Sequence, residues 1–342
     1  MNERTRNTLV AALLATLMAA PANAYEVFVF SGLDEIMDWL ETENWWGEVN
    51  RGEQLDVPHA MITGINPRWR TTAQELPVPQ KKEIFYRLML PLIMHANEMV
   101  MERRERLLET QAMLAELKSI SDQDLELIRQ GAVLLRVMDA EDADALSPGS
   151  SELADVIDEL LYKLDIIPNG LALGQAAYES GYGTSRFAVE GNALFGQWTY
   201  GGKGLVPEQQ RKELGDHRIA SFDWPFDSVR GYFINLMSHP AYEDFRQLRA
   251  KLRAEGKPLT SLDLADGLVN YSERGQEYVE TLKGIIRVNK LDVADDAVFR
   301  DEELQFLVGA EDNAAADTLR SEIEKLRASG ELDEIVARMR LE

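Results

Sequence analysis

Apolar positions recur at spacings of three and four through most of this chain, and that period predicts a mainly α-helical protein. Ile84, Phe85, Leu88, Leu92 and Ile93 place one helix from about Lys81 to beyond Met101. Pro91 lies inside this pattern; with no N–H to donate, it is expected to kink or divide the helix. Ser121 followed by Asp124 reads as the capped start of a second helix running to Met138. The acidic Asp139 to Ala145 stretch and the Ser147-Pro148-Gly149-Ser150 run read as a loop. Leu153, Ile157, Leu160 and Leu161 predict a helix over 151–162, and Ile166 to Gly170 a short turn. Leu171, Ala172, Ala176 and Tyr178 then suit the buried face of a further helix. That helix should stop at Ser180-Gly181, where glycine readily takes the left-handed conformation. Trp224-Pro225-Phe226, with Asp227 or Ser228 as cap, opens a helix whose buried face is Val229, Tyr232, Phe233 and Leu236. The tail repeats the helical period at Leu319, Ile323 and Leu326, then at Leu332, Ile335 and Met339.

Two stretches break the helical pattern. Between Gln197 and Phe222, aromatic and β-branched residues flank Gly201-Gly202 and predict a short hairpin. From Tyr25 to Pro79 the sequence is mixed, with Trp39, Trp45 and Trp46 at helical spacing and four prolines marking an irregular connection. The tryptophans there are expected to pack rather than to bind. Met1 to Ala24 reads as a secretory signal: Arg4 and Arg6 precede an apolar run, and Ala22-Asn23-Ala24 supplies small residues for cleavage. The run is shorter than the roughly 20 residues that span a bilayer.

Composition removes several chemistries. A formal net charge of -23 disfavours nucleic acid and anionic membrane surfaces, and no membrane contact is expected after signal cleavage. The absence of cysteine excludes disulfides and thiolate ligands or nucleophiles. Four histidines, at 59, 95, 217 and 239, lack metal-site spacing, so neither a metal nor a cofactor is expected. Glu179 is the position that invites chemistry. It falls in the last turn of its helix, beside apolar neighbours and a Gly/Tyr/Ser loop. The negative end of the helix dipole and partial desolvation both disfavour its charge, which raises a carboxyl pKa toward the range a general acid needs.

The residues Ala177-Tyr178-Glu179-Ser180-Gly181-Tyr182-Gly183-Thr184-Ser185, followed by Asn192-Ala193-Leu194-Phe195-Gly196, resemble the paired motifs of bacterial peptidoglycan N-acetylglucosaminidases, in particular the Bax-type branch. The resemblance runs from about Lys81 to Leu291. It implies a lysozyme-like helical catalytic domain with a small β-hairpin lobe, preceded by a helical domain. The divisions it suggests are a signal at 1–24, a helical region at 25–150, the catalytic domain at 151–291 and an acidic helical tail at 292–342. It also implies cleavage of the β-1,4 bond between N-acetylglucosamine and N-acetylmuramic acid in periplasmic peptidoglycan strands, with Glu179 as general acid.

The second catalytic group stays open. A base acting through water sits roughly 6.5–9.5 Å from the acid, and a nucleophile at about 5–5.5 Å. Glu208, Glu213 and Asp216 are the candidates, Glu208 first by position; alternatively the substrate's own acetamido group attacks. Tyr271, in Tyr271-Ser272-Glu273-Arg274-Gly275-Gln276-Glu277-Tyr278, resembles an important family tyrosine, although the motif differs by an insertion. The resemblance also implies glycan contacts at Ser180, Tyr182, Asn192, Phe195 and Trp198, with Tyr182 and Trp198 stacking on sugar faces. Two other readings remain: a lytic transglycosylase, whose usual Gly-Leu-Met-Gln stretch is missing here, and a non-catalytic wall-binding module. No protein partner can be read from the sequence.

Overall fold

A computed structural model of the 342-residue chain describes residues 25–47, 54–117, 119–199, 203–207 and 218–333. The protein is mainly helical, with short strands. Strand β1 (Tyr25–Phe30) leads to α1 (Leu33–Thr42), β2 (Asp56–Val57), β3 (Ala60–Ile62), α2 (Trp69–Glu75) and the long α3 (Val78–Leu117). Helices α4 (Asp122–Leu134), α5 (Ala140–Ala145), α6 (Leu153–Lys163), α7 (Asn169–Ser180) and α8 (Arg186–Gly191) follow. Strands β4 (Trp198–Thr199), β5 (Gly204–Leu205) and β6 (Arg218–Ala220) come next, then α9 (Pro225–Ser238), α10 (Glu243–Ala254), α11 (Ser261–Leu264) and α12 (Gln276–Asn289). The described chain closes with β7 (Val298–Phe299), β8 (Leu304–Gly309) and α13 (Asn313–Ser329). These residues form two compact units. One contains the residues up to Met94, Leu173–Arg230 and those from Asp296 onward; the other contains His95–Ala172 and Gly231–Asp295.

The first unit has a core sheet ordered β1-β8-β3, with both pairings parallel. Its register runs from Tyr25 against Leu304 to Phe30 against Gly309, so the two ends of the described chain meet strand to strand. Met61, Phe306 and Leu307 are buried there, and α13 closes over the sheet through Ala316, Leu319 and Ile323. The stretch after residue 291 is therefore not only helical, because it contributes the central strand. The small β lobe also pairs differently from the expected hairpin. Strand β6 lies between β4 and β5 and bonds to both in antiparallel fashion, whereas the expected turn at Gly201-Gly202 lies outside the described residues.

Pro91 neither divides α3 nor leaves its helix short of a partner. The carbonyl it cannot serve is that of Arg87, four residues earlier. The indole N–H of the fully buried Trp45 donates to that oxygen at 2.9 Å. Trp39 likewise packs, donating to Gln305 Oε1 at 2.8 Å. Trp39 and Trp45 thus pack, as expected, rather than standing exposed.

In the second unit, Ser121 caps α4 by accepting from the Asp124 N–H, as the sequence predicts. The acidic run read as a loop is instead helix α5, because Asp139 caps it by accepting from the Asp142 N–H. The turn before α7 is fixed by Arg249, which is 1% exposed. Its guanidinium donates to the carbonyls of Lys163 (2.6 Å), Asp165 (2.8 Å), Tyr162 and Ile166 (both 3.3 Å). Burial pushes its pKa down to about 10, which still leaves it charged near neutrality. The start of α7 is held by Asp295, whose Oδ1 accepts from the Gly170 N–H at 3.0 Å. A side chain at residue 170 would put a Cβ 2.2 Å from the Leu291 carbonyl oxygen, so only glycine permits this approach.

Candidate active site

Helix α7 places Glu179 where the sequence puts it, in the last turn. Leu171 and Ala172 are fully buried, and Ala176 and Ala177 nearly so, which fixes the rotation of the helix. Tyr178 and Glu179 fall on its more exposed side; Tyr178 is 39% exposed and Glu179 partly so. Beyond Ser180 the chain turns sharply. Gly181, Tyr182 and Gly183 have φ of 59°, 60° and 73°, three left-handed residues in succession. At Tyr182 this conformation carries a steric cost of roughly 1–2 kcal/mol, which surrounding contacts must offset.

Those contacts are present within the first unit. Trp69 Nε1 donates to the Tyr182 carbonyl at 2.9 Å, and the Tyr182 ring meets the Phe85 and Tyr86 rings edge-on, both at 5.9 Å between centroids. The Lys82 ammonium lies 5.4 Å from the centre of the same ring. Burial, foremost, and the neighbouring Tyr182 push the Tyr86 phenol well above its ordinary pKa, so it stays neutral. Ser180 is fully buried; its hydroxyl donates to the Ala176 carbonyl at 2.6 Å and accepts from the Gly183 N–H at 2.8 Å. This side chain ties the end of α7 to the loop after Glu179.

The second motif forms the opposite wall. Asn192 takes a left-handed φ of 50° after α8, and its side chain joins three segments. Its Oδ1 accepts from the Ile65 N–H (3.2 Å), and its Nδ2 donates to the Phe222 (3.2 Å) and Asp223 (3.0 Å) carbonyls. Phe195 is buried at 3% exposure, and the Leu194 N–H donates to Ser228 Oγ at 3.0 Å. Gly196 lies beside the acid. It has φ of 61°, and a Cβ built on it would lie 3.9 Å from Glu179 Oε2. No side chain at position 196 stands beside the carboxylate. Two residues on, Trp198 is 49% exposed, an aromatic surface open to solvent.

The two motifs thus converge on one carboxylate, a juxtaposition that sequence spacing alone does not fix. Ser180, Asn192 and Phe195 are held by protein contacts, and Tyr178 and Trp198 are the exposed aromatic residues nearby in sequence. Tyr178, expected from its spacing on the buried face of α7, is instead exposed, because the helix turns Ala176 and Ala177 inward. Asp227, expected as a cap, accepts from the Trp224 N–H at 3.2 Å, and its carboxyl is pushed up chiefly by burial. Glu208, Glu213 and Asp216 lie outside the described residues. Tyr271 belongs to the second unit, at the end of a 3₁₀ turn over 265–271. Its ring stacks on Tyr278 at 5.4 Å and 12°, and lies 5.7 Å from the Tyr242 ring.

The family model described as mannosyl-glycoprotein endo-beta-N-acetylglucosaminidase matches residues 154–291, a span that contains Glu179, Gly196 and Tyr271. Over this segment the chain is similar to glucosaminidases, and it shares similarity with a Bax-type protein. Protein Bax of Escherichia coli (strain K12) is 36% identical to it over 131 residues, which cover 38% of this chain and 46% of Bax. The chain thus matches about half the length of that relative. No solved structure matches the chain significantly. The glucosaminidase match draws α7, the Glu179 loop and the small β lobe into one family segment. The parallel sheet formed by β1, β3 and β8 lies outside it. Among the described residues, no helix is long and apolar enough to cross a membrane.

Proposed function

We propose that this protein is an exported peptidoglycan hydrolase that cleaves the β-1,4 bond between N-acetylglucosamine and N-acetylmuramic acid, with Glu179 as general acid. The observation that carries this reading is the meeting of the two glucosaminidase motifs at the Glu179 carboxylate, which lies beside Gly196, two residues before the exposed Trp198. A glycine at this point leaves room for a sugar to reach the acid. The exposed indole offers a flat surface for the C–H face of a neighbouring ring. Glu179 donates its proton to the leaving glycosidic oxygen as the C1–O bond breaks, and water then adds to the sugar carbon. Its place at the negative end of α7 favours the protonated form that this step requires.

The positive charge that develops on the sugar is met by Glu208, by Tyr271 or by the substrate's acetamido oxygen, the three candidates that the domain offers. Met1 to Ala24 would direct the protein to the periplasm, where this substrate lies. The test is digestion of purified peptidoglycan, with products read by mass spectrometry before and after borohydride reduction. Reducible N-acetylglucosamine ends are expected. Anhydro-muramyl ends would instead indicate a lytic transglycosylase, and intact glycan a wall-binding module.

A further inference from the structure

The parallel sheet of the first unit carries a feature that the glycosidase reading does not use, although Gly183 of the Glu179 loop, with Trp69 and Phe85, forms part of its wall. At the carboxyl ends of β1 and β3 lies a cavity of about 140 Å³. Open parallel sheets characteristically hold ligands at the carboxyl ends of their strands. The walls here are apolar: Phe30 and Ile62 end the two strands, and Ile36, Ile84, Leu88 and Met89 enclose the space. A cavity of about this size, lined by such residues, accepts a single benzene ring. The volume therefore suits an apolar group of about six to eight carbons.

The rim is not apolar. Arg68 borders the cavity and is exposed, with one Nη2 contact to the Ser31 carbonyl. Among the described residues it forms no ion pair, although the chain has a formal net charge of -23. The neighbouring first turn of α1 carries Asp34, which is exposed and not paired with Arg68, and Glu35, which is already engaged. It accepts from the Ser31 N–H and hydroxyl and pairs with Arg320 at 2.9 Å. Asn66 is likewise occupied, donating to the Ala310 carbonyl and accepting from the Arg68 N–H. Among the described residues, a cation without a carboxylate partner thus stands at the mouth of an apolar, ring-sized cavity.

We propose that this cavity is a binding site for a small apolar monocarboxylate, its hydrocarbon inside and its carboxylate on the Arg68 guanidinium. An arginine fork matches a carboxylate geometrically, and its partner here would come from the ligand. Trp69, one of six tryptophans in the chain, lines the same cavity, so occupancy should change the protein's tryptophan emission.

Calorimetric titration of the purified protein with octanoate, and with octan-1-ol as its neutral counterpart, tests this assignment, with tryptophan emission followed in parallel. Saturable one-to-one octanoate binding is expected, weakened about tenfold in Arg68→Gln while octanol binding changes little. Arg68 is exposed, so this variant should fold, and circular dichroism checks that it does. Leu88→Trp, which fills the cavity, should abolish binding of both ligands. No saturable binding of octanoate to the wild type would overturn the proposal, as would equal octanoate affinity in Arg68→Gln. Neither result depends on glycosidase activity, so this site and the proposed hydrolase stand or fall separately.

Discussion

Helix α3 survives an internal proline because a side chain from elsewhere takes over the carbonyl that Pro91 abandons, and this idea can be put to a quantitative test. Trp45→Phe removes the N–H that reaches the Arg87 oxygen at 2.9 Å while keeping an aromatic ring in a fully buried site. Two costs follow. An unsatisfied buried carbonyl costs about 1–3 kcal/mol, and the smaller ring leaves a void worth about 1 kcal/mol. The Arg87 guanidinium, 4.4 Å from the Trp45 ring centre, loses some of its stacking as well. The total is about 2–4 kcal/mol. In a Pro91→Ala background the restored backbone N–H serves the same oxygen, so Trp45→Phe should then cost only the packing part, about 1–2 kcal/mol. Urea denaturation of the four proteins of the cycle measures the coupling, expected to be about 1–2 kcal/mol. An equal cost of Trp45→Phe in both backgrounds would refute the reasoning.

Three further outcomes follow from the geometry. Arg249→Met leaves the four carbonyls around the turn before α7 without their buried donor. It should destabilise the protein by about 3–5 kcal/mol in denaturant titration. Asp165 resists protonation: burial alone would raise its pKa, but hydrogen bonds from Arg253 and the charges of Arg249, Arg104 and Arg253 hold it below the ordinary 3.8. A depressed carboxyl stabilises the fold above its unfolded pKa and loses that contribution as pH falls through its folded value. Asp165→Asn should therefore flatten the loss of stability below about pH 4, as followed by thermal melts across pH. Ser180→Ala removes the hydroxyl between the Ala176 carbonyl and the Gly183 N–H, at a cost of about 1–3 kcal/mol. Peptidoglycan cleavage should fall in this variant while its circular dichroism is retained.

What could be read from the sequence was largely local. Helix α7, its stop at Gly181 and the place of Glu179 follow from period and glycine chemistry, which act over a few residues. The buried face of α9, at Val229, Tyr232, Phe233 and Leu236, was equally plain. The core sheet was not, because its register joins Tyr25 to Leu304 and Ala60 to Gln305, and no local pattern encodes such pairing. β3 is too short to show alternation, and β8 lies in a stretch dominated by acidic and helical signals. Pro91 misled because the donor that rescues its helix lies far away in sequence, at Trp45. At the site, the motifs named Glu179 and Gly196, but the contact between them depends on a loop with three left-handed residues. The tyrosine in the middle of that loop, Tyr182, would not be expected there on propensity alone.

The measurement that bears most directly on the central claim is the rate of peptidoglycan digestion by wild type and Glu179→Gln, under matched folding checks. Glutamine keeps the shape beside Gly196 but has no carboxyl proton to give. The variant should fall by at least roughly two to four orders of magnitude, as for the loss of a general acid, while still binding glycan strands. Release of reducible N-acetylglucosamine ends at the wild-type rate by Glu179→Gln would contradict the account.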